Sequence, residues 1–154
     1  MNKHLKYLNY LIRHKYFVFV AGFQLKVSLW RLIIHDWSKF LPCEWIPYVA
    51  NFYGDRVDKE KYGISFDYSW LHHIHWNKHH FQHWTLIEDS GAIKPLRMPE
   101  KYVREMASDW LGAGRAITGK WEAWDYYQKN KDNTLLHPET RKLFESLLKN
   151  FKKP

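Results

Sequence analysis

The sequence predicts an all-α fold: a single-domain, compact bundle of about five to seven helices spanning residues 1–154. Three observations carry that reading. Apolar residues recur at the three- and four-residue spacings of a helix face, and no convincing strand alternation or internal repeat interrupts them. Pro42, Pro99 and Pro138 stand where first helical turns would begin, with Glu44, Glu100 and Glu139 close behind at the positive end of the helix dipole. Apolar residues make up 45% and aromatics 18% of the 154, enough for a packed core and too many for a disordered chain.

Taken in order, residues 3–30 place Tyr7, Leu11, His14, Val18, Ala21 and Leu25 on one inward stripe, with Gly22 as a candidate break between two helices. Alone, His14 would read as a core histidine. The apolar run Val27–Ile34 leads into His35-Asp36-Trp37-Ser38-Lys39. A histidine beside a carboxylate joins a borderline to a hard metal ligand, and the plain alternative is a helix-end ion pair. Lys39 lies one turn beyond His35, placed to hold a phosphate oxygen or protonate a leaving group. Pro42 opens a helix with Trp45, Tyr48, Val49 and Phe52 as its apolar face, ended by Gly54-Asp55. Asp55–Asp67 reads as a charged loop.

Residues 72–84 hold six of the ten histidines: His72, His73, His75, His79, His80 and His83. Ordinary packing has no use for such a density of imidazoles, the commonest metal ligand. On a continuous helix His72, His75, His79 and His83 share one face, and His73, Asn77 and His80 the next. His73 and His80 would then stand about 10 Å apart along the axis and could not chelate one ion unaided.

Glu88–Pro95 reads as a loop. The helix after Pro99 has Tyr102, Val103, Met106, Trp110 and Ala113 as its apolar stripe, and carries Glu105 and Asp109 four residues apart on one face. Gly114–Lys120 spells G-x-x-x-x-G-K, but Trp121 replaces the magnesium-binding hydroxyl and no strand precedes it, so we read it as chance. Arg115 and Lys120 remain candidates to bind phosphate as single charges. Trp121–Gln128 is a short helix and Lys129–Asn133 a polar loop. Pro138 opens a last helix that buries Leu143, Phe144, Leu147, Leu148 and Phe151.

The net charge of +8 favours a polyanionic substrate or partner. One cysteine, Cys43, excludes an internal disulfide framework and suits a reducing compartment, read as the cytoplasm. The early apolar stretch Tyr16–Phe23 is far short of the roughly 20 residues of a membrane span, so no membrane partner is expected.

His14, His35-Asp36 with Lys39, the histidine stretch and Asp109 follow one another in an order that resembles the HD superfamily of metal-dependent phosphohydrolases. His35-Asp36-Trp37-Ser38-Lys39 looks like the His-Asp-x-x-Lys signature of its cyclic-dinucleotide phosphodiesterase branch, and His79-His80 like that branch's His-His-Glu segment. The chain is also similar, over most of its length, to a small HD-like family of phages and Firmicutes with the patterns His-Asp-x-Ser-Lys-Phe and Asn-x-His-His, which carries no established activity. The departures are Phe81 at the acidic position and a missing Gly-Tyr-Pro.

The resemblance implies a first divalent ion on His14, His35, Asp36 and Asp109. It implies a second on His73 (or its neighbour His72), His80 and His79, with Asp36 bridging. Mn, Fe, Mg, Co, Ni and Zn are not distinguished. Asp36 and Lys39 would be catalytic, and Lys39, Arg115 and Lys120 would bind substrate. The expected activity is hydrolysis of a phosphate ester in a nucleotide or cyclic nucleotide by a metal-activated water, in the host cytoplasm if the chain is phage-encoded. Two alternatives are a di-iron oxygenase of the HD type, and a nucleic-acid-binding protein with histidines as structural zinc ligands.

Overall fold

The computed structural model describes residues 2–154. Seven α-helices run in chain order: α1 (Lys3–Gln24), α2 (Leu29–Ile34), α3 (Pro42–Tyr53), α4 (Arg56–Trp76), α5 (Glu100–Thr118), α6 (Ala123–Asn130) and α7 (Pro138–Lys149). A two-stranded antiparallel hairpin, β1 (Thr85–Ile87) and β2 (Ile93–Pro95), lies between α4 and α5. The all-α bundle expected from the sequence is therefore what forms.

Helix α1 is the hub. Its inward stripe (Tyr7, Leu11, His14, Val18, Ala21) is buried along its length. Tyr7 and Leu11 pack with Tyr48 and Val49 of α3. Ala21 joins the larger cluster built from Val103, Met106, Leu111 and Phe144 of α5 and α7. The Leu, Val, Met and Phe side chains among these contribute about 1.5–3 kcal/mol each on burial. That store of apolar burial offsets the cost of the polar centre that lies between the two clusters.

Gly112 of α5 and Val18 of α1 meet where these helices cross. A Cβ at position 112 would lie 2.5 Å from the Val18 nitrogen and 2.8 Å from its Cα. Only glycine permits that approach. It sets the spacing at which His14, one turn before Val18, meets Asp109, one turn before Gly112.

Four expectations change. α1 runs unbroken through Gly22, which accommodates Leu32, and ends only at Gln24. Asp55–Asp67 is not a loop but the start of α4, whose N-terminus is fixed by a reciprocal cap between Asp55 and Asp58. Glu88–Pro95 is the turn and second strand of the hairpin, with Gly91 at φ 83°. The histidine stretch is not one helix: α4 stops at Trp76 and the chain turns at Asn77.

Candidate metal centre

The HD pair owes its geometry to a backbone reversal. His35 caps α2, and Asp36 follows with φ 54° and ψ 25°, the left-handed region that Asp tolerates better than most residues. A 3-10 turn over Trp37–Phe40 then sends the chain into α3. Both side chains thus enter the same interior, where His35 is 2% and Asp36 0% exposed.

Asp36 faces two sets of ligands. Its Oδ2 lies 3.3 Å from His14 Nε2 and 3.6 Å from His35 Nε2. Asp109 Oδ1 completes that set at 3.2 Å from His14 Nε2 and 3.4 Å from His35 Nε2. The other oxygen of Asp36, Oδ1, lies 3.5 Å from His73 Nε2 and 3.3 Å from His79 Nε2, and His80 Nε2 stands 2.9 Å from His73 Nε2. The chain turn at Asn77 is what makes the second set possible. It brings together two histidines that a straight helix would hold apart. Asn77 secures the turn, its amide donating to the His73 carbonyl (3.0 Å) and to Ser38 Oγ (2.9 Å).

These separations suit the edges of coordination polyhedra. Ligands about 2.0–2.2 Å from an ion are about 3.0–3.5 Å from one another. As hydrogen bonds most of the same contacts are too long. His35 Nε2, Asp36 Oδ1 and His79 Nε2 are buried without a hydrogen-bond partner, and all three point into the sets.

The outer nitrogens are held by carboxylates. His73 Nδ1 donates to Glu44 Oε2 at 2.8 Å, while His72 Nδ1 takes Glu44 Oε1 at 2.7 Å. His35 Nδ1 and His79 Nδ1, one from each set, lie 3.3 and 3.4 Å from the same oxygen, Glu105 Oε1. Arg31 fixes the other Glu105 oxygen at 2.9 Å. Protons placed on Nδ1 leave the Nε2 lone pairs of these rings inward, the tautomer that ligates.

Electrostatics agree with a cation site. Four buried carboxylates, Asp36, Glu44, Glu105 and Asp109, lie among the histidines, and Lys39 and Arg31 each pair with one of them. Burial alone would raise the Asp36 carboxyl, but the charges of His35, Lys39 and His73 outweigh it and hold it well below the usual range. Asp109 behaves likewise: burial works against its charged form, but its contacts with His14 and His35 hold it well below the usual range. Burial also works against the charged form of Glu105, yet contacts with His35 and His79 bring it to about 2. Burial pushes His79 down, but Asp36 and Glu105 overcome this and raise it to about 10. Burial, with the charge of His79 beside it, keeps His80 neutral and ready to ligate. A proton and a metal ion compete for such nitrogens.

The structure therefore gathers His14, His35, Asp36, His73, His79, His80 and Asp109, with Lys39 Nζ 2.6 Å from Asp36 Oδ2. It does not bring Arg115 or Lys120 there. The Arg115 guanidinium lies over the rings of Phe17 and Trp121. Lys120 is exposed beyond Gly119, which ends α5 at φ 76°, about 15 Å along the helix from Asp109. Neither residue belongs to a ligand set or lines either cleft that reaches His80 and Asp109. His75 is exposed and stands apart from both sets.

Two clefts meet at the centre. One, of about 700 Å³, is lined by Lys6, Arg13, Lys39 and four tyrosines. The other, of about 540 Å³, is lined by Phe81, Trp110, Tyr126 and neutral amides. Trp70, His80 and Asp109 border both.

Glu105 is the residue that sequence reasoning undervalued. Glu105→Gln removes the shared acceptor of one histidine from each set, and we expect metal affinity to fall about 10–100-fold at both. Competition with a fluorescent chelator measures it; affinity equal to wild type would remove Glu105 from the centre.

No curated protein and no solved structure matches this chain. A family model, described as a family of unknown function, matches residues 3–150, which include every residue of both ligand sets. The chain is thus a member of the family of unknown function DUF5662.

Proposed function

We propose that the protein is a metal-dependent phosphohydrolase or phosphodiesterase acting on a nucleotide or cyclic nucleotide. The observation that carries this reading is Asp36: one buried carboxylate shared by two adjoining ligand sets at the junction of two clefts. The order of ligands resembling the HD superfamily supports it independently. Two divalent ions held there would lower the pKa of a water toward neutrality and screen the charge on phosphorus.

The chain's own residues suit the rest of the task. Lys6, Arg13 and Lys39 give one cleft a positive wall that draws in an anion. Trp70, Trp110 and Tyr126 offer ring faces on which a base can stack. Burial works against the Lys39 ammonium, but Asp36 holds its pKa well above the ordinary value. That favours Lys39 as a fixed charge beside the developing negative charge rather than as a proton donor. We expect Lys39→Met to lower turnover about 100-fold with metal content unchanged. Steady-state kinetics beside metal analysis checks this; undiminished turnover would remove Lys39 from the reaction.

The reading itself is tested by incubating metal-loaded protein with a panel of nucleotides and cyclic nucleotides. Chelator-sensitive release of phosphate or a ring-opened nucleotide is expected, and no hydrolysis across the panel would overturn it. A second reading rests on the donor set around Oδ1 of Asp36. Three imidazoles to one carboxylate suit iron better than magnesium, and an iron pair can support an oxygen-dependent reaction. Turnover that consumes oxygen and releases no phosphate would favour it. The clefts that reach His80 and Asp109 weigh against a closed, structural zinc site.

A further inference from the structure

Residues 1–35 contain no Asp or Glu and six cations: Lys3, Lys6, Arg13, Lys15, Lys26 and Arg31. The two helices they form also expose much of the chain's large apolar surface. On α1, Leu5, Ile12, Tyr16, Phe19 and Phe23 are exposed, Phe23 at 68%. Their 7-4-3-4 spacing confines them to a sector of about 60° on the helix, away from the inward stripe. On α2, Leu32 alone is buried, and Leu29, Trp30, Ile33 and Ile34 face outward, Trp30 at 68%.

The two apolar faces adjoin. Leu32 packs on Val18 and Gly22, about 100° round α1 from the exposed stripe. Lys15 ties the helices by donating to the Ile33 and His35 carbonyls, at 3.2 and 2.5 Å. Cations rim the face. Lys6 and Arg13 flank the α1 stripe on one side and Lys15 on the other, and Lys26 stands in the turn between the helices. Lys3 pairs with Asp58 and Arg31 with Glu105, whereas Lys6, Arg13, Lys15 and Lys26 have no acidic partner among the described residues.

We propose that this face docks on an anionic lipid bilayer, with α1 and α2 lying in the plane of the interface. Side chains of Trp, Tyr, Phe, Ile and Leu beneath a rim of Lys and Arg are the arrangement an interfacial helix needs. Lys15 is committed to the two carbonyls, so it is the exposed Lys6, Arg13 and Lys26 whose stems cover apolar surface while their heads reach lipid phosphates. Charge decides between occupants. A second copy docked through the same face would oppose two acid-free, cationic surfaces. A nucleic acid would satisfy the cations but leave the exposed Leu and Ile side chains without an apolar partner. Among the described residues no helix is long and apolar enough to cross a membrane, so the contact proposed is peripheral, a kind of membrane partner that the length of the Tyr16–Phe23 stretch does not exclude.

Co-sedimentation of the full chain with vesicles tests this. Wild type is expected to bind vesicles containing phosphatidylglycerol, with a blue shift in tryptophan emission, and to be left behind by pure phosphatidylcholine. The triple variant Phe23→Ser, Trp30→Ser, Ile33→Ser lies outside the metal centre and should bind about tenfold more weakly or worse, with an unchanged circular-dichroism spectrum. The composition dependence of the wild type stands by itself if that variant misfolds. Failure of the wild type to bind phosphatidylglycerol vesicles would overturn the proposal. So would a wild-type dimer in sedimentation equilibrium that the triple variant dissociates, since that outcome gives the face to a second copy.

Discussion

On the proposed reading, replacing Asp36 by Asn should strip both ligand sets of their common member: metal binding is expected to fall to near zero and hydrolysis on the order of 1000-fold. Asparagine keeps the shape of the side chain and tolerates the left-handed backbone at φ 54°, so the fold survives to be assayed. What is lost is the carboxylate whose two oxygens face different sets, Oδ2 toward His14 and His35, and Oδ1 toward His73 and His79. His14→Ala makes the contrast. His14 belongs to one set only, so its loss should release one ion and leave the other. Metal content of the two purified variants, normalised to protein, separates these outcomes. Equal loss in both would show that the sets do not bind independently and that Asp36 has no special place.

Gly112→Val should be the most destabilising single change outside the centre. The new side chain meets Val18 backbone, 2.5 Å from its nitrogen, and backbone in mid-helix cannot yield as a side-chain tip does. We expect a loss of about 3 kcal/mol, which lowers the melting temperature by about 6–12 °C in a chain of this size. The helices forced apart are those that carry His14 and Asp109, now 3.2 Å from each other. The set they share should therefore weaken even though every ligand remains. Gly114→Ala, two residues along the same helix, is the control. Its Cβ would meet nothing closer than 3.9 Å, so helix propensity gives a gain of about 0.5–1 kcal/mol. Thermal melts of the two variants read the difference, and equal melting temperatures would contradict the role given to the crossing.

Much of the centre is legible in the sequence because its ligands are themselves the anomaly. A buried stripe that contains His14, an adjacent His-Asp pair, a run of histidines and a mid-helix Asp109 all have little structural reason to exist. The path of the chain between them is less legible. The stop at Trp76 rests on Asn77, whose side-chain amide caps the His73 carbonyl, and the turn lets His79 and His80 come inward toward Asp36. The first half of α4 looks like a loop because it is charged on every side and buries almost nothing. Its start is marked only by an Asp-x-x-Asp cap in place of the commoner Ser/Thr-x-x-Glu.

Glu44 illustrates a different limit. In sequence it is an ordinary acid in a first helical turn. Its burial, and its grip on His72 and His73, come from α3 packing on α4, which brings together residues 28 and 29 positions apart. Glu105 did carry a signal, since it shares a helix face with Asp109. A positive charge in sequence says nothing of direction: the Arg115 guanidinium lies over the rings of Phe17 and Trp121, apart from the ligand sets.

Two adjoining ligand sets call for two cations. Equilibrium dialysis of the wild-type chain against manganese, iron or zinc, followed by elemental analysis, should return two ions per polypeptide. A chain that emerges from dialysis against all three with no stoichiometric ion would contradict it.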